Sequence, residues 1–371
     1  MPSHAGPYYI GLMSGTSTDG VDGVLANFQQ AERPSIIAAA SLPFPDTLRA
    51  EFLALNHPAH NELERSALAG IQLANLYADV VHQLLRDSGL RSKQVSAIGA
   101  HGQTVRHAPD AGYTVQINAP AHLAERTGIA VVADFRSRDI AAGGQGAPLV
   151  PIVHQALFAA SGKNRVVLNL GGIANVTVLS ADGKVLGFDT GPANVLLDTW
   201  IQEKKGCAYD RDGQWAASGN VNTALLDLLL ASEPWLDVAP PKSTGRHLFN
   251  AQWLQARLEQ ANNRPNDADI QATLQAFTAQ TVALALARYA PDTQEVIVCG
   301  GGALNKSLMA HLAAELPCPV RSSETLGVPV QLVEALAFAW LAHAWDHGVA
   351  GGLPAVTGAR EPRILGCKYP A

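Results

Sequence analysis

Short runs of β-branched and aromatic residues, each closing on a glycine-rich turn, alternate in this chain with longer stretches whose apolar positions recur every three or four residues. Residues 8–12 and 21–28 are β-rich and separated by eight turn-prone residues, which predicts a strand–loop–strand unit. Over 61–90 the spacing of Leu63, Leu68, Ile71, Leu76, Val80 and Leu84 predicts a helix, and 95–100 a strand that ends at His101, Gly102, Gln103 and Thr104. A helix over 120–127 and a strand over 129–133 lead into Asp134, Phe135, Arg136, Ser137, Arg138 and Asp139, and then into a loose glycine-rich segment, 141–148. The second half repeats the theme: strands over 165–170 and 174–180, an Asp182-Gly183 turn, then a strand over 185–188 that delivers Asp189 to a Thr-Gly-Pro turn and a helix. Residues 220–289 read mainly as helix, broken by the loop 240–246. A strand over 295–299 then meets Gly300, Gly301 and Gly302 ahead of a helix over 306–315, and a last apolar helix covers 330–345. Strands alternating with helices predict an α/β protein.

Size divides this pattern in two. The chain has 371 residues, 47% of them hydrophobic, and single cores rarely grow past roughly 250–300 residues. The loose segment after Ile140 and a last helix packing back on the first lobe place the lobes at 1–140 plus 330–371 and at 141–329. A net charge of −6, with 26 Lys plus Arg and no basic run, leaves nothing to neutralise a nucleic-acid backbone. The apolar stretch 330–345 is interrupted by Gln331, Glu334 and His343 and is short for a membrane span. Four dispersed cysteines without a C-x-x-C pair fit reduced thiols, and the first residues carry neither a basic segment nor an apolar core, so a cytoplasmic location without a secretory signal is expected.

The glycine turns carry the candidate chemistry. Glycine lets backbone N–H groups approach phosphate oxygens, hydroxyls add donors and a carboxylate can hold a metal ion, so three such turns at strand ends point to a split site for ATP with magnesium, although no residue is singled out as a metal ligand. The first lies between two strands, which excludes a Walker A loop, and the last lacks the final glycine of a Rossmann fingerprint. Asp189 stands where a carboxylate either projects from a rigid strand or caps a helix. Glu334 shares a helical stripe with Phe338, Leu341 and Trp345, so its carboxylate is expected to be buried and to need a partner, either a substrate or a nearby arginine.

These residues resemble a known family. The segments 11–22, 100–104, 134–136, 143–148, 169–175, 188–192 and 241–246, taken in order, are similar to the anhydro-N-acetylmuramic acid kinases of bacteria, over essentially the whole length. One departure is Ala193, where a second glycine is expected. The resemblance implies two actin-like (ribonuclease H-like) lobes with the active site in the cleft between them, a homodimer, and a reaction in which ATP phosphorylates the six-position oxygen of 1,6-anhydro-N-acetylmuramic acid while water opens the anhydro bridge. It implies Asp189 as the general base. Gly15, Thr16, Ser17, Asp19, Gly20 and Asp22 are then the first phosphate loop, Gly171 and Gly172 the second phosphate turn, and Gly300, Gly301 and Gly302 the place where adenosine lies on the backbone. One of Arg136 and Arg138 would hold the lactyl carboxylate, with His101, Thr104 and Glu334 contacting the sugar and residues 242–246 forming a cleft edge. Two alternatives remain open on sequence: another sugar kinase of this superfamily, in which the Asp deprotonates a sugar hydroxyl, and an ATP-switched binding protein that phosphorylates no sugar.

Overall fold

A computed structural model describes residues 6–15, 18–30, 34–246, 248–261 and 264–371. Its strands are β1 (Tyr8–Met13), β2 (Gly20–Asn27), β3 (Ser35–Pro43), β4 (Val95–Ala100), β5 (Gln103–Ala108), β6 (Tyr113–Ile117), β7 (Val131–Ala133), β8 (Arg165–Leu170), β9 (Ile173–Leu179), β10 (Val185–Pro192), β11 (Glu295–Cys299), β12 (Val320–Ser322) and β13 (Cys367–Tyr369). The chain forms two compact units, Met1–Leu157 with Leu332–Ala371, and Phe158–Gln331. The segment 141–157 thus packs with the first unit rather than the second. It is tied there by Asp139, whose carboxylate accepts from the Gly146 N–H and from the Thr357 hydroxyl, both at 2.8 Å.

The first unit is built on a six-stranded sheet in the order β13-β7-β4-β1-β2-β3. β1, β2 and β3 form an antiparallel meander, β4 and β7 continue it parallel to β1, and β13 closes the edge antiparallel to β7. The helix Glu62–Ser88 covers one face, burying Leu73, Tyr77, Val80, Val81 and Leu84 at three- and four-residue spacing, and it stops where Gly89 takes a φ of 69°. The helix Val333–Asp346 lies on the other face, over β1 and β4, and is buried along nearly its whole length. Its approach is set by two glycines: a Cβ at Gly11 would stand 1.9 Å from the Ala335 carbonyl oxygen, and one at Gly99 2.0 Å from that of Phe338. A hairpin of β5 and β6, which the apolar pattern does not reveal, stands apart as its own two-stranded sheet.

The second unit repeats this order: its five strands run β10-β9-β8-β11-β12, again an antiparallel meander followed by two parallel strands. The helix Asp267–Tyr289 begins at Asn266, whose side chain accepts from the Asp269 N–H, and its neighbours include β10 and the helices Asn194–Lys205 and Lys306–Glu315. Trp200, Phe249, Trp253 and Phe277 fill a second core among these helices. Two copies of one strand order in one chain are the architectural counterpart of the repeated glycine-turn pattern in the sequence. Among the described residues no helix is long and apolar enough to cross a membrane, and all four cysteines are free.

Candidate active site

Strand register brings the sequence-predicted residues together in two groups, one per unit. In the first, Leu12 pairs with Ala100 and Ala100 with Ala133, so the carboxyl ends of β1, β4 and β7 lie side by side. The segments that follow them emerge together, where ligands of parallel sheets characteristically bind. His101 is buried there with both ring nitrogens engaged: Nδ1 is 3.1 Å from the Ser14 carbonyl oxygen and Nε2 is 2.9 Å from Arg136 Nη2. Burial, reinforced by the Arg136 charge, pushes its pKa down to about 3, so the ring is neutral. Its proton therefore sits on Nδ1, facing an oxygen that can only accept, and Nε2 accepts from the guanidinium. Arg136 also donates from Nη1 to the Gly146 carbonyl at 2.8 Å, while its buried Nε–H meets no acceptor among the described residues. Burial lowers the Arg136 pKa to about 10, opposed by Glu334 and Asp139. The pKa of Glu334 is raised, first by burial and then by Asp22, and held back by Arg136.

Several expectations change here. His101 has no free ring nitrogen to offer a sugar and acts instead on Ser14 and Arg136. Arg138, beyond the end of β7 at Ala133, is exposed on the short helix Ser137–Ala141. Thr104 lies within β5, where its hydroxyl accepts from Gln116 Nε2 at 3.2 Å. Gly20 opens β2, where a Cβ would meet the Leu42 carbonyl oxygen at 2.3 Å, so the sheet itself requires this glycine. Asp19 is exposed, and Asp22 accepts from the Ser41 hydroxyl at 2.5 Å. Gly15 accepts from the Thr18 N–H and from Gln103 Nε2, both at 3.1 Å. Thr16 and Ser17 lie outside the described residues. Ser14 and Gln103, which order this corner, lie in the motif segments without having been singled out, and Tyr77, inside the helix predicted over 61–90, carries no signal of its own.

In the second unit β10 runs four residues past the predicted end, and Asp189 lies inside it, beside the place where the register shifts between Asp189 and Gly191. Such a bulge re-aims side chains at a sheet end. The helix that follows starts after Ala193 with no side-chain cap, so Asp189 is not its cap. Instead Asp189 Oδ2 accepts from the Thr244 N–H at 2.8 Å and the Ser243 hydroxyl at 3.2 Å, and its own N–H donates to the Lys242 carbonyl at 3.1 Å. Lys242 is buried, donating from Nζ to the Leu236 carbonyl at 2.8 Å with its charge 4.3 Å from the Trp235 ring centre. The loop 240–246 is thus fastened to the carboxylate. Among the described residues Oδ1 accepts no hydrogen bond. Burial raises the Asp189 pKa to about 6 against the pull of the Thr244 and Ser243 hydrogen bonds and of Lys242, placing it where a general base works near neutrality.

The glycines of this unit separate into two kinds. Gly300 has a φ of 82° and sits against Asn169 and Leu170, and a Cβ at Gly302 would come within 2.6 Å of the Leu170 Cβ, so both are required by the fold. Gly171, Gly172 and Gly301 would each accept a Cβ with nothing closer than 3.6 Å. No contact inside the protein requires a glycine at these three positions. The Gly171 and Gly172 carbonyls are turned toward the next helix, accepting from the N–H groups of Ala193, Asn194 and Val195. Among the described residues no cluster of three or more His, Cys, Asp or Glu stands ready for a metal.

Residues 7–371 match the family profile of anhydro-N-acetylmuramic acid kinase. The chain belongs to that family. A relative of this name from Bordetella petrii is 58% identical over 370 residues, spanning 100% of this chain and 98% of the relative. Another from Bordetella pertussis is 60% identical over 367 residues, spanning 99% and 97%. Among solved structures, the activator of 2-hydroxyisocaproyl-CoA dehydratase from Clostridium difficile with bound ADPNP has a TM-score of 0.50 at 13% identity, covering 92% of this chain and 96% of that one. At that identity the likeness concerns the fold, which is α/β and actin-like. As a member of the anhydro-N-acetylmuramic acid kinase family the protein is a phosphotransferase. In such an enzyme the spare room at Gly171 has a direct test. Gly171→Ala is expected to change stability by about 1 kcal/mol or less, because the added methyl has space. The KM for ATP should rise tenfold or more, read by steady-state kinetics beside a thermal melt.

Proposed function

We propose that this chain transfers the γ-phosphoryl group of ATP to the six-position oxygen of 1,6-anhydro-N-acetylmuramic acid while water opens the anhydro bridge, giving N-acetylmuramic acid 6-phosphate and ADP. The observation that carries this reading is the Asp189 carboxylate: one oxygen is fastened by Thr244 and Ser243, the other is open, and the pKa is about 6. Asp189 Oδ1 takes a proton from water, whose oxygen bonds to the anomeric carbon as that carbon releases the bridging oxygen. The released oxygen bonds to the γ-phosphorus, the bond to the β-phosphate oxygen breaks, and ADP leaves. A single displacement of this kind inverts the anomeric carbon, as in inverting glycosidases.

The other residues take supporting roles. The open backbone at Gly171, Gly172 and Gly301 receives the nucleotide, and the backbone at Gly15 is a phosphate contact, as the family resemblance implies. Asp19 and Asp22 would hold magnesium, Asp22 beside Glu334 in electrostatic reach. Magnesium supplies charge neutralisation on the phosphates. Arg136, with a buried N–H still unpaired, is suited to the lactyl carboxylate, and Glu334 to a sugar hydroxyl. The enzyme would act as a cytoplasmic homodimer in the recycling of cell-wall sugar, as the family resemblance implies.

The deciding experiment is ADP release coupled to a reporter, with the anhydro-sugar, N-acetylmuramic acid and glucose as rival acceptors, run in water enriched in heavy oxygen. Turnover with the anhydro-sugar and heavy oxygen at the anomeric carbon are expected. Equal turnover with glucose, or no solvent oxygen in the product, sinks the reading. The same assay shows the base directly. The ratio kcat/KM should rise with pH to a midpoint near 6, because Asp189 must be ionised to accept a proton. Ser243→Ala removes a donor that favours the ionised form, so the midpoint should move up by about one pH unit.

A further inference from the structure

We infer that the hydroxyl of Tyr77 couples the nucleotide-binding backbone at Ser14 and Gly15 to the sugar-binding Arg136, so that binding at either place strengthens binding at the other. The inference rests on the proposed function. Tyr77 lies mid-way along the helix Glu62–Ser88, fully buried on the stripe that faces the sheet. Phenylalanine would fill the same volume, and a hydroxyl in an apolar stripe is tolerated only when it is bonded. Its oxygen accepts from the Gly102 N–H at 3.1 Å and lies 3.1 Å from Ser14 Oγ. The Ser14 hydroxyl donates to the Gly102 carbonyl at 2.9 Å, which commits its only proton, so the Tyr77 proton goes to Ser14 Oγ.

Every proton in this corner then has one place. Ser14 and Gly102 are locked to each other and to Tyr77, and the Ser14 carbonyl accepts from His101 Nδ1–H. His101 Nε2 accepts from Arg136, while Gln103 Nε2 holds the Gly15 carbonyl. The imidazole, neutral in its buried place, cannot reverse this order. A phosphate held by the backbone at Ser14 and Gly15 thereby fixes His101, and through it the direction of the Arg136 guanidinium. A carboxylate on Arg136 acts back along the same bonds. Coupling of binding free energies is reciprocal, and such linkages commonly amount to about 5–150-fold.

The test is the affinity of the full-length enzyme for magnesium with a non-hydrolysable ATP analogue, measured by calorimetry with and without the anhydro-sugar. The wild-type ratio is expected to be about fivefold or more. In Tyr77→Phe, which keeps the ring and removes the oxygen, it should fall to less than about twofold, with KM rising for both substrates more than kcat falls. Ser14→Ala, which removes the other hydroxyl, should do the same and serves as the second variant should the first fold poorly. A purely structural Tyr77 would lower the melting temperature and leave the ratio alone. A wild-type ratio of one, or the wild-type ratio kept in either variant, overturns the inference. Loss of the proposed function looks different, because the wild type itself would then show no sugar-dependent ADP release.

Discussion

Asp189→Asn is expected to lower kcat by about 10³-fold, within the range of roughly 10²–10⁴ that proton transfer by a positioned side chain contributes. The substitution keeps an acceptor oxygen for the Thr244 N–H and the Ser243 hydroxyl, so the loop 240–246 stays fastened and only proton acceptance is lost. The affinity for ATP should change by less than about threefold, since the role proposed for Asp189 is on the reacting water rather than on the phosphates. The rise of kcat/KM around pH 6 should vanish with it. Stability gives an independent check with a definite sign. Burial raises the folded-state pKa above the ordinary value, so the stability Asp189 contributes is fully present below about pH 4 and is lost as pH rises through about 6. At pH 8 the Asn variant should therefore melt no lower than the wild type, and its relative advantage should shrink on acidification. A variant that kept a tenth of wild-type kcat would remove Asp189 from the role of base.

Gly99→Ala should be severely damaging to the fold. Its Cβ would lie 2.0 Å from the Phe338 carbonyl oxygen and 2.7 Å from the carbonyl carbon, both backbone, so no side chain can swing away. The helix Val333–Asp346 has to move off β4 or the strand has to bend, and overpacking of a filled core costs about 3 kcal/mol. For a unit of this size that corresponds to a fall of roughly 6–12 °C in apparent melting temperature. The same displacement carries Glu334, on the first turn of that helix, away from Arg136 and Asp22, so activity should fall by tenfold or more even where the protein remains folded. Gly112→Ala is the control, because a Cβ at Gly112 meets nothing within 4 Å and only its φ of 80° opposes the change. Its melting temperature should fall by much less, and its activity should hold. Equal melting temperatures for Gly99→Ala and the wild type would show that the helix does not rest on β4 as described.

Several elements were legible from local pattern because their physics is local. The strands 95–100, 165–170 and 295–299 and the helices 120–127 and 306–315 coincide with the structure, since each is an uninterrupted apolar or amphipathic run closed by glycine or proline punctuation. β3 and the hairpin of β5 and β6 were not visible. Few of their positions are fully buried, so little apolar contrast marks them. The end of β10 was misplaced for a related reason: Thr-Gly-Pro is turn chemistry by composition, yet pairing with Ile173 and Ala174 on β9 keeps it in the sheet.

The chain's own order of residues thus determined the α/β class, the repeated strand–turn theme and, through the motif resemblance, the family and the identity of its candidate base. What the tertiary structure alone decided is which neighbour each polar group answers to. Sequence places Ser243 and Thr244 more than fifty positions from Asp189 and Tyr77 more than twenty from Gly102, and nothing local predicts their meeting. Their hydrogen bonds form because strand register and helix packing, driven by burial of apolar faces, carry distant segments to the same sheet end. The sharing out of protons, the raised pKa of Asp189 and the neutral His101 follow from that burial, a property of the folded chain that no single segment possesses.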